Sequence, residues 1–192
     1  VKTLPELMDM IKADPTSVAV AGGSAVGGWD HLKVLIAAKA SGIDDIRSIK
    51  YVPFDGGGEA VTQLLAGSVQ AFTGDASEAK GFVDSGDIRV LAVLAPERMG
   101  GSFADFPTAK EQGIDATGAN WRGFYAPGGM SDDAYAFWVD AVHKVYVSDE
   151  WKKEMEQSGI APLDLSGAEF QAFVAQSVSD ITALSKEIGL IQ

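Results

Sequence analysis

Ser24, Asp30 and His31 stand close together in the stretch Gly22-Gly23-Ser24-Ala25-Val26-Gly27-Gly28-Trp29-Asp30-His31. A hydroxyl, a carboxylate and an imidazole are the side chains of a nucleophilic triad. Their spacing argues against that chemistry, because Asp30 and His31 are adjacent and neighbours on a helix point about 100° apart. The nucleophile-elbow pattern Gly-x-Ser-x-Gly is also missing from this run. So are the phosphate loop Gly-x-x-x-x-Gly-Lys-Ser/Thr and the dinucleotide fingerprint Gly-x-Gly-x-x-Gly. What the glycines do permit is close approach of an anion to a helix start, where about four backbone N–H groups lack partners. The plainer alternative is that they only make a tight turn from strand to helix.

The pattern repeats. Tyr51-Val52-Pro53-Phe54-Asp55-Gly56-Gly57-Gly58-Glu59 reads as a second apolar strand, glycine turn and helix start. Three glycines in a row exceed what a turn requires. Thr73, Asp75 and Ser77 mark a third junction of the same kind. In a parallel sheet the C-terminal strand ends share one side, and ligands gather in the crevice there. Glu59 opposes an anion unless it is directed away. Asp30 reads as a helix N-cap or first-turn residue.

The elements that position these junctions follow from periodicity and caps. Thr3-Leu4-Pro5-Glu6 is a capping box, and Leu4, Leu7, Met8 and Ile11 then recur at helical spacing. Strands are expected at Ser17–Ala21, Ile49–Pro53, Val69–Thr73, Ile88–Ala95 and Trp121–Ala126, with helices between them. Ile88–Ala95 is the most apolar run and reads as a strand covered on both faces. Beyond Gly129 the chain becomes almost wholly helical. Ser131, Ser148 and the Ser166-Gly167-Ala168-Glu169 capping box start three helices, and Gly159 ends one. Trp138, Trp151 and the aromatic residues of the last helix are expected in the core. Alternating strands and helices argue for βαβ units around a mainly parallel sheet. The shift to helix places a boundary near Ala116–Asn120.

Bulk composition narrows the function. The 192 residues carry a formal net charge of −12 and no cysteine. An acidic chain repels the nucleic-acid backbone and anionic lipid surfaces, so no nucleic-acid partner is expected. Disulfides, thiolate nucleophiles and zinc–thiolate sites are excluded. Two distant histidines, His31 and His143, cannot make a multi-histidine metal site, and no metal or cofactor is expected. No export signal opens the sequence. That leaves three readings: a cytoplasmic protein, a leader already removed, or a chain starting inside a longer one.

Ala19-Val20-Ala21-Gly22-Gly23-Ser24 with Asp30-His31-Leu32, followed by Tyr51-Val52-Pro53-Phe54-x-Gly56-Gly57-Gly58-Glu59-Ala60, resembles the substrate-binding proteins of tripartite tricarboxylate transporters. The likeness to this TctC/Bug-type family continues through Leu64-Leu65-Ala66-Gly67-x-Val69, Ser77-Glu78, Ile88-Arg89-Val90-Leu91-Ala92-Val93 and Pro96-Glu97-Arg98. It resumes at Asn120-Trp121-Arg122-Gly123, Ala126-Pro127-Gly128-Gly129, Glu150-Trp151-Lys152 and the closing Leu184–Ile191.

The resemblance implies an α/β architecture, the periplasmic-binding-protein type II fold, N-terminally truncated. Residues 1–118 would be one complete, mainly parallel-sheet domain. Residues 119–192 would be the C-terminal helical part of the other domain, whose N-terminal part lies outside this sequence. It further implies a periplasmic binding protein with no enzymatic step. The protein would close on a small di- or tricarboxylate, citrate-like, and deliver it to membrane permease subunits. Carried over by position, the ligand contacts are Gly23, Ser24, Ala25, Gly27, His31, Phe54, Gly56, Gly57, Gly58, Thr73, Asp75 and Ser77. Asp75 departs from a simple anion pocket and leaves the ligand open. An uncovered helical tail is expected to expose apolar faces and self-associate. The alternatives are the effector-binding domain of a transcription regulator with the same fold, and a hydrolase using Ser24.

Overall fold

A computed structural model describes residues 1–192. The chain divides into two compact units: Val1–Met99 with Phe103–Asn120, and Gly100–Ser102 with Trp121–Gln192.

The first unit is built on three short parallel strands, β1 (Val20–Gly22), β2 (Tyr51–Pro53) and β3 (Ala71–Thr73), in the order β2-β1-β3. Gly22 at the end of β1 pairs with Pro53 on one side and Thr73 on the other, so all three strands end in register. Helices follow each strand: α2 (Trp29–Ala40), α3 (Gly57–Leu65) and α4 (Ala76–Asp84), with α1 (Leu4–Ala13) before them. The Thr3 hydroxyl accepts from Glu6 N–H and starts α1. Glu6 bonds to Lys2 N–H rather than back to Thr3, so only half of the expected capping box forms. α1 buries Leu4, Leu7, Met8 and Ile11. α2 is buried nearly all round, through His31, Leu32, Lys33, Val34, Leu35, Ala37 and Ala38. It is therefore an interior helix rather than one with a single apolar stripe. Ala60 of α3 packs with Ala19, Ala21 and Val69 under Val52, Phe54, Leu64 and Phe72.

One expectation fails here. Ile88–Ala95 is not a strand; it makes a single parallel bridge, Val93 to Thr108, and its side chains are half-buried apart from exposed Arg89. The run has strand composition, but only Val93 finds a neighbour to bond in this way.

The second unit is helical: α5 (Asp132–Tyr146), α6 (Asp149–Ser158) and α7 (Gly167–Glu187). Ser131 accepts from Ala134 N–H and Ser148 from Trp151 N–H, and Gly159 ends α6 in the left-handed region at φ 62°. Ser166 is the N-cap of α7 without a side-chain cap bond, so its expected capping box is not made. Trp121–Ala126 is not a strand. Trp121 instead meets Phe170 and Phe173 edge-on, ring centroids 5.6 Å apart in both pairs. Trp138 and Trp151, expected in the core, are 56% and 38% exposed.

Candidate functional site

Three strands ending in register bring three junctions to one edge of the sheet. The first and second touch backbone to backbone. Phe54 N–H donates to Gly22 O at 2.9 Å, and Gly56 N–H donates to Gly23 O at 3.2 Å. A Cβ on Gly23 would lie 2.8 Å from Gly56 Cα and closer still to Gly57 N. Gly23 is thus a packing requirement. The three consecutive glycines differ among themselves. Gly56 needs its φ of 98°, Gly57 has the Glu78 carboxylate against its Cα, and Gly58 faces open space.

Each junction is closed by a carboxylate from the first turn of its own following helix. Asp30 accepts from Gly23 N–H at 3.0 Å, Glu59 from Asp55 N–H at 3.2 Å and Glu78 from Asp75 N–H at 2.8 Å. These acids sit where the helix dipole favours negative charge. Much of the anion-binding capacity suggested by the glycine turns is therefore taken up by the chain's own acids. Gly57 and Gly58 in α3, and Ala76 and Ser77 in α4, are first-turn residues whose N–H groups find no acceptor elsewhere in the chain.

The remaining predicted residues fall into place around this edge. The Ser24 hydroxyl accepts from Asp30 N–H at 3.1 Å, and Ser24 O accepts from the Tyr51 hydroxyl at 2.7 Å. Ala25 O accepts from Gly28 N–H at 2.8 Å, which turns the chain into α2. His31 Nδ1 accepts from Gly27 N–H at 3.0 Å, so the ring is neutral with its proton on Nε2. Burial holds the imidazole pKa below its ordinary value. The Tyr51 ring lies 4.7 Å from that of His31, and burial pushes the phenol pKa up. Thr73 donates to Asp30 O at 3.1 Å, which links the first and third junctions. Ser77 is exposed at the start of α4, and Phe54 is half-buried beyond β2.

No nucleophilic relay forms. The serine hydroxyl bonds a backbone amide, the imidazole Nδ1 is held by another, and Asp30 is directed to Gly23 and Lys33.

Sequence reasoning missed two residues. The Lys33 side chain is nine-tenths buried, with its ammonium 2.8 Å from Asp30 Oδ1 and 3.6 Å from Asp75 Oδ1. These are ion-pair contacts without an aligned hydrogen bond. Asn120 donates through Nδ2 to both Asp75 oxygens, at 3.0 and 3.1 Å. The Asp30-x-x-Lys33 spacing was the available signal for the lysine, since residues three apart share a helix face. Asn120 had none, being 45 residues from its partner.

Comparison with known proteins gives one consistent answer. The family model described as tripartite tricarboxylate transporter family receptor matches residues 1–190. Protein BugT of Bordetella pertussis is 25% identical over 188 residues, covering 97% of this chain and 56% of that protein. Among solved structures, R. palustris Rpa4515 with adipate superposes with a TM-score of 0.80 at 23% identity, over 98% of this chain and 62% of that one. A TctC solute binding protein from Polaromonas gives 0.72 at 24% identity, over 100% of this chain and 62% of its own. The periplasmic binding protein BugD gives 0.73 at 22%, over 98% and 62%. This chain thus spans between about half and two thirds of the length of these relatives.

Proposed function

Because the chain belongs to the tripartite tricarboxylate transporter receptor family, we propose that it is part of a periplasmic solute-binding protein that captures a small carboxylate and hands it to membrane permease subunits. The action is binding without a chemical step. Residues 1–118 supply one ligand-binding jaw, and residues 119–192 belong to the domain that carries the other.

The observation that carries this reading is the convergence of three strand–helix junctions on one sheet edge, where first-turn N–H groups of Gly57, Gly58, Ala76 and Ser77 remain uncommitted. Backbone amides at helix starts bind carboxylates without a matching cation. That suits an acidic chain. The contact set is Gly23, Ser24, Ala25, Gly27, His31, Phe54, Gly56, Gly57, Gly58, Thr73, Asp75 and Ser77. A linear dicarboxylate such as the adipate of Rpa4515 suits this edge better than a tricarboxylate. Several of the edge's amides already hold internal carboxylates, which leaves few for a triply charged ligand.

The test is an amide NMR titration of the 192-residue chain with adipate and with citrate into the millimolar range. Adipate is expected to shift the Gly57, Gly58, Ala76 and Ser77 amides, weakly, as befits a single jaw. Shifts scattered over the surface, or none at all, would overturn the reading.

A further inference from the structure

Ile88–Ala95 has the composition of a strand and a single strand-like contact. Val93 N–H donates to Pro107 O at 2.8 Å, and Val93 O accepts from Ala109 N–H at 3.0 Å. Before that bridge the run is open. Arg89, Val90 and Ala92 neither donate nor accept a backbone hydrogen bond, and Leu91 only accepts, from the Gln112 side-chain amide at 2.8 Å. In extended backbone every second residue addresses the same edge. Counted back from Val93, that edge belongs to Leu91 and Arg89. The Leu91 N–H and both backbone groups of Arg89 are therefore available on it.

A cleft of about 590 Å³ lies beside these residues, within the size range of ligand clefts. It is lined by Ile88 and Val90 of this run, by Phe106 and Pro107 of the facing segment, and by Val83 near the end of α4. Asp87 and Asp105 also line it, and both are exposed. Asp105 takes part in no hydrogen bond or ion pair, and Asp87 accepts from the Ser85 hydroxyl at 2.6 Å. Arg89, the cation of the cleft, donates to Val1 O at 3.2 Å. The charge left for an occupant is negative. α4 starts at the carboxylate-binding edge and ends at this cleft, so the two sites stand at opposite ends of one helix.

We propose that the cleft docks an extended segment of a partner protein, with apolar and basic residues alternating, which adds as a strand beside Arg89–Leu91. Open backbone groups on a run of strand composition are matched by another backbone. The apolar walls take the segment's inward side chains. The exposed carboxylates take its basic ones, whereas a chain of net charge −12 repels a second copy of itself.

Three acetylated and amidated pentapeptides test this by amide NMR titration of the whole chain. They are Val-Lys-Val-Lys-Val, Val-Glu-Val-Glu-Val, and the lysine peptide with its backbone nitrogens methylated. The lysine peptide is expected to shift the Arg89 and Leu91 amides, to slow their exchange with solvent, and to bind about tenfold more tightly than the glutamate peptide. Methylation removes the backbone donors and is expected to abolish binding. In a variant carrying both Asp87→Asn and Asp105→Asn, the preference for lysine over glutamate is expected to fall to about one while the shifts at Arg89 and Leu91 remain. The proposal fails if the lysine peptide leaves those amides unmoved, or if the methylated peptide binds as well as its parent. It fails equally if the two charged peptides bind alike, or if the preference survives in the double variant. Protection of the same amides that rises with protein concentration, without any peptide, would give the cleft to a second copy and overturn the partner assignment.

Discussion

The two units carry similar kinds of side chain and treat them differently. In the first, most apolar residues of β1, α1 and α2 are buried, with 0% exposure at Ile11, Ala21 and Ala38, and so are Ala60 and Val61 of α3. In the second, Met155 and Leu184 are the buried apolar residues, while Phe124, Tyr125, Phe137 and Val178 are between 58% and 82% exposed. Helices form in both. Ser131 and Ser148 cap α5 and α6 as well as Thr3 caps α1. Caps and local hydrogen bonds thus suffice to define a helix, whereas burial requires an opposing surface. The first unit supplies its own through the sheet.

Core truncation should expose this difference most strongly. Leu35 is 1% exposed on the interior helix α2, and Leu35→Ala is expected to destabilise the first unit by about 2–5 kcal/mol. Val178→Ala on α7, at 58% exposure, is expected to change stability by no more than about 0.5 kcal/mol, since no packed cavity is created. Urea unfolding followed by amide NMR signals from each unit would measure both. Equal losses would show that the second unit has a core of its own.

Gly23→Ala probes the junction contact. Its Cβ would press on the backbone of Gly56 and Gly57, which cannot rotate away as a side chain can. The expected loss is about 1–3 kcal/mol. Gly58→Ala, in open space on the first turn of α3, is expected to be neutral or to gain up to about 1 kcal/mol from helix propensity. A Gly23→Ala variant as stable as the parent would mean that the first two junctions are not locked together.

The contrast also explains what could be read from the sequence. The strand–glycine–helix alternation is local, and each repeat announces itself within about a dozen residues, so the parallel sheet and its shared edge were legible. Ile88–Ala95 and Trp121–Ala126 were misread for one reason. Apolar, β-branched or aromatic composition marks a segment that fits a sheet, but a strand exists only where a neighbour bonds to it. The same dependence on distant partners hid the site's charges. Lys33 is buried because α2 is an interior helix, and Asn120 joins the edge only when folding brings it to Asp75.

Ser131→Ala tests the local half of the comparison. The Ser131 hydroxyl accepts from Ala134 N–H at 3.3 Å, and its loss is expected to cost the second unit about 1 kcal/mol while leaving the first unchanged. Helix content by circular dichroism and per-unit amide exchange would show it. If both units lost stability together, their folding could not be treated separately.

The smallest expected effect belongs to His31, and its direction is fixed by the geometry. The folded state holds the imidazole neutral, through burial and through the Gly27 N–H that occupies Nδ1. The unfolded chain titrates near pH 6.5. Above that value both states are neutral and the histidine adds no pH dependence. As pH falls below it, the unfolded chain takes up a proton that the folded chain refuses, so stability declines until pH passes the lowered folded pKa. Asp14 and Glu111, whose carboxyls are held below their ordinary range by hydrogen bonds to Thr16 and Thr108, lose their stabilisation only at more acidic pH. The two windows are therefore separable. His31→Gln is expected to flatten the decline just below pH 6.5 and to leave the acidic limb in place. A decline in that upper window that persists in His31→Gln would assign it to another group and remove the neutral histidine from the account of the first junction.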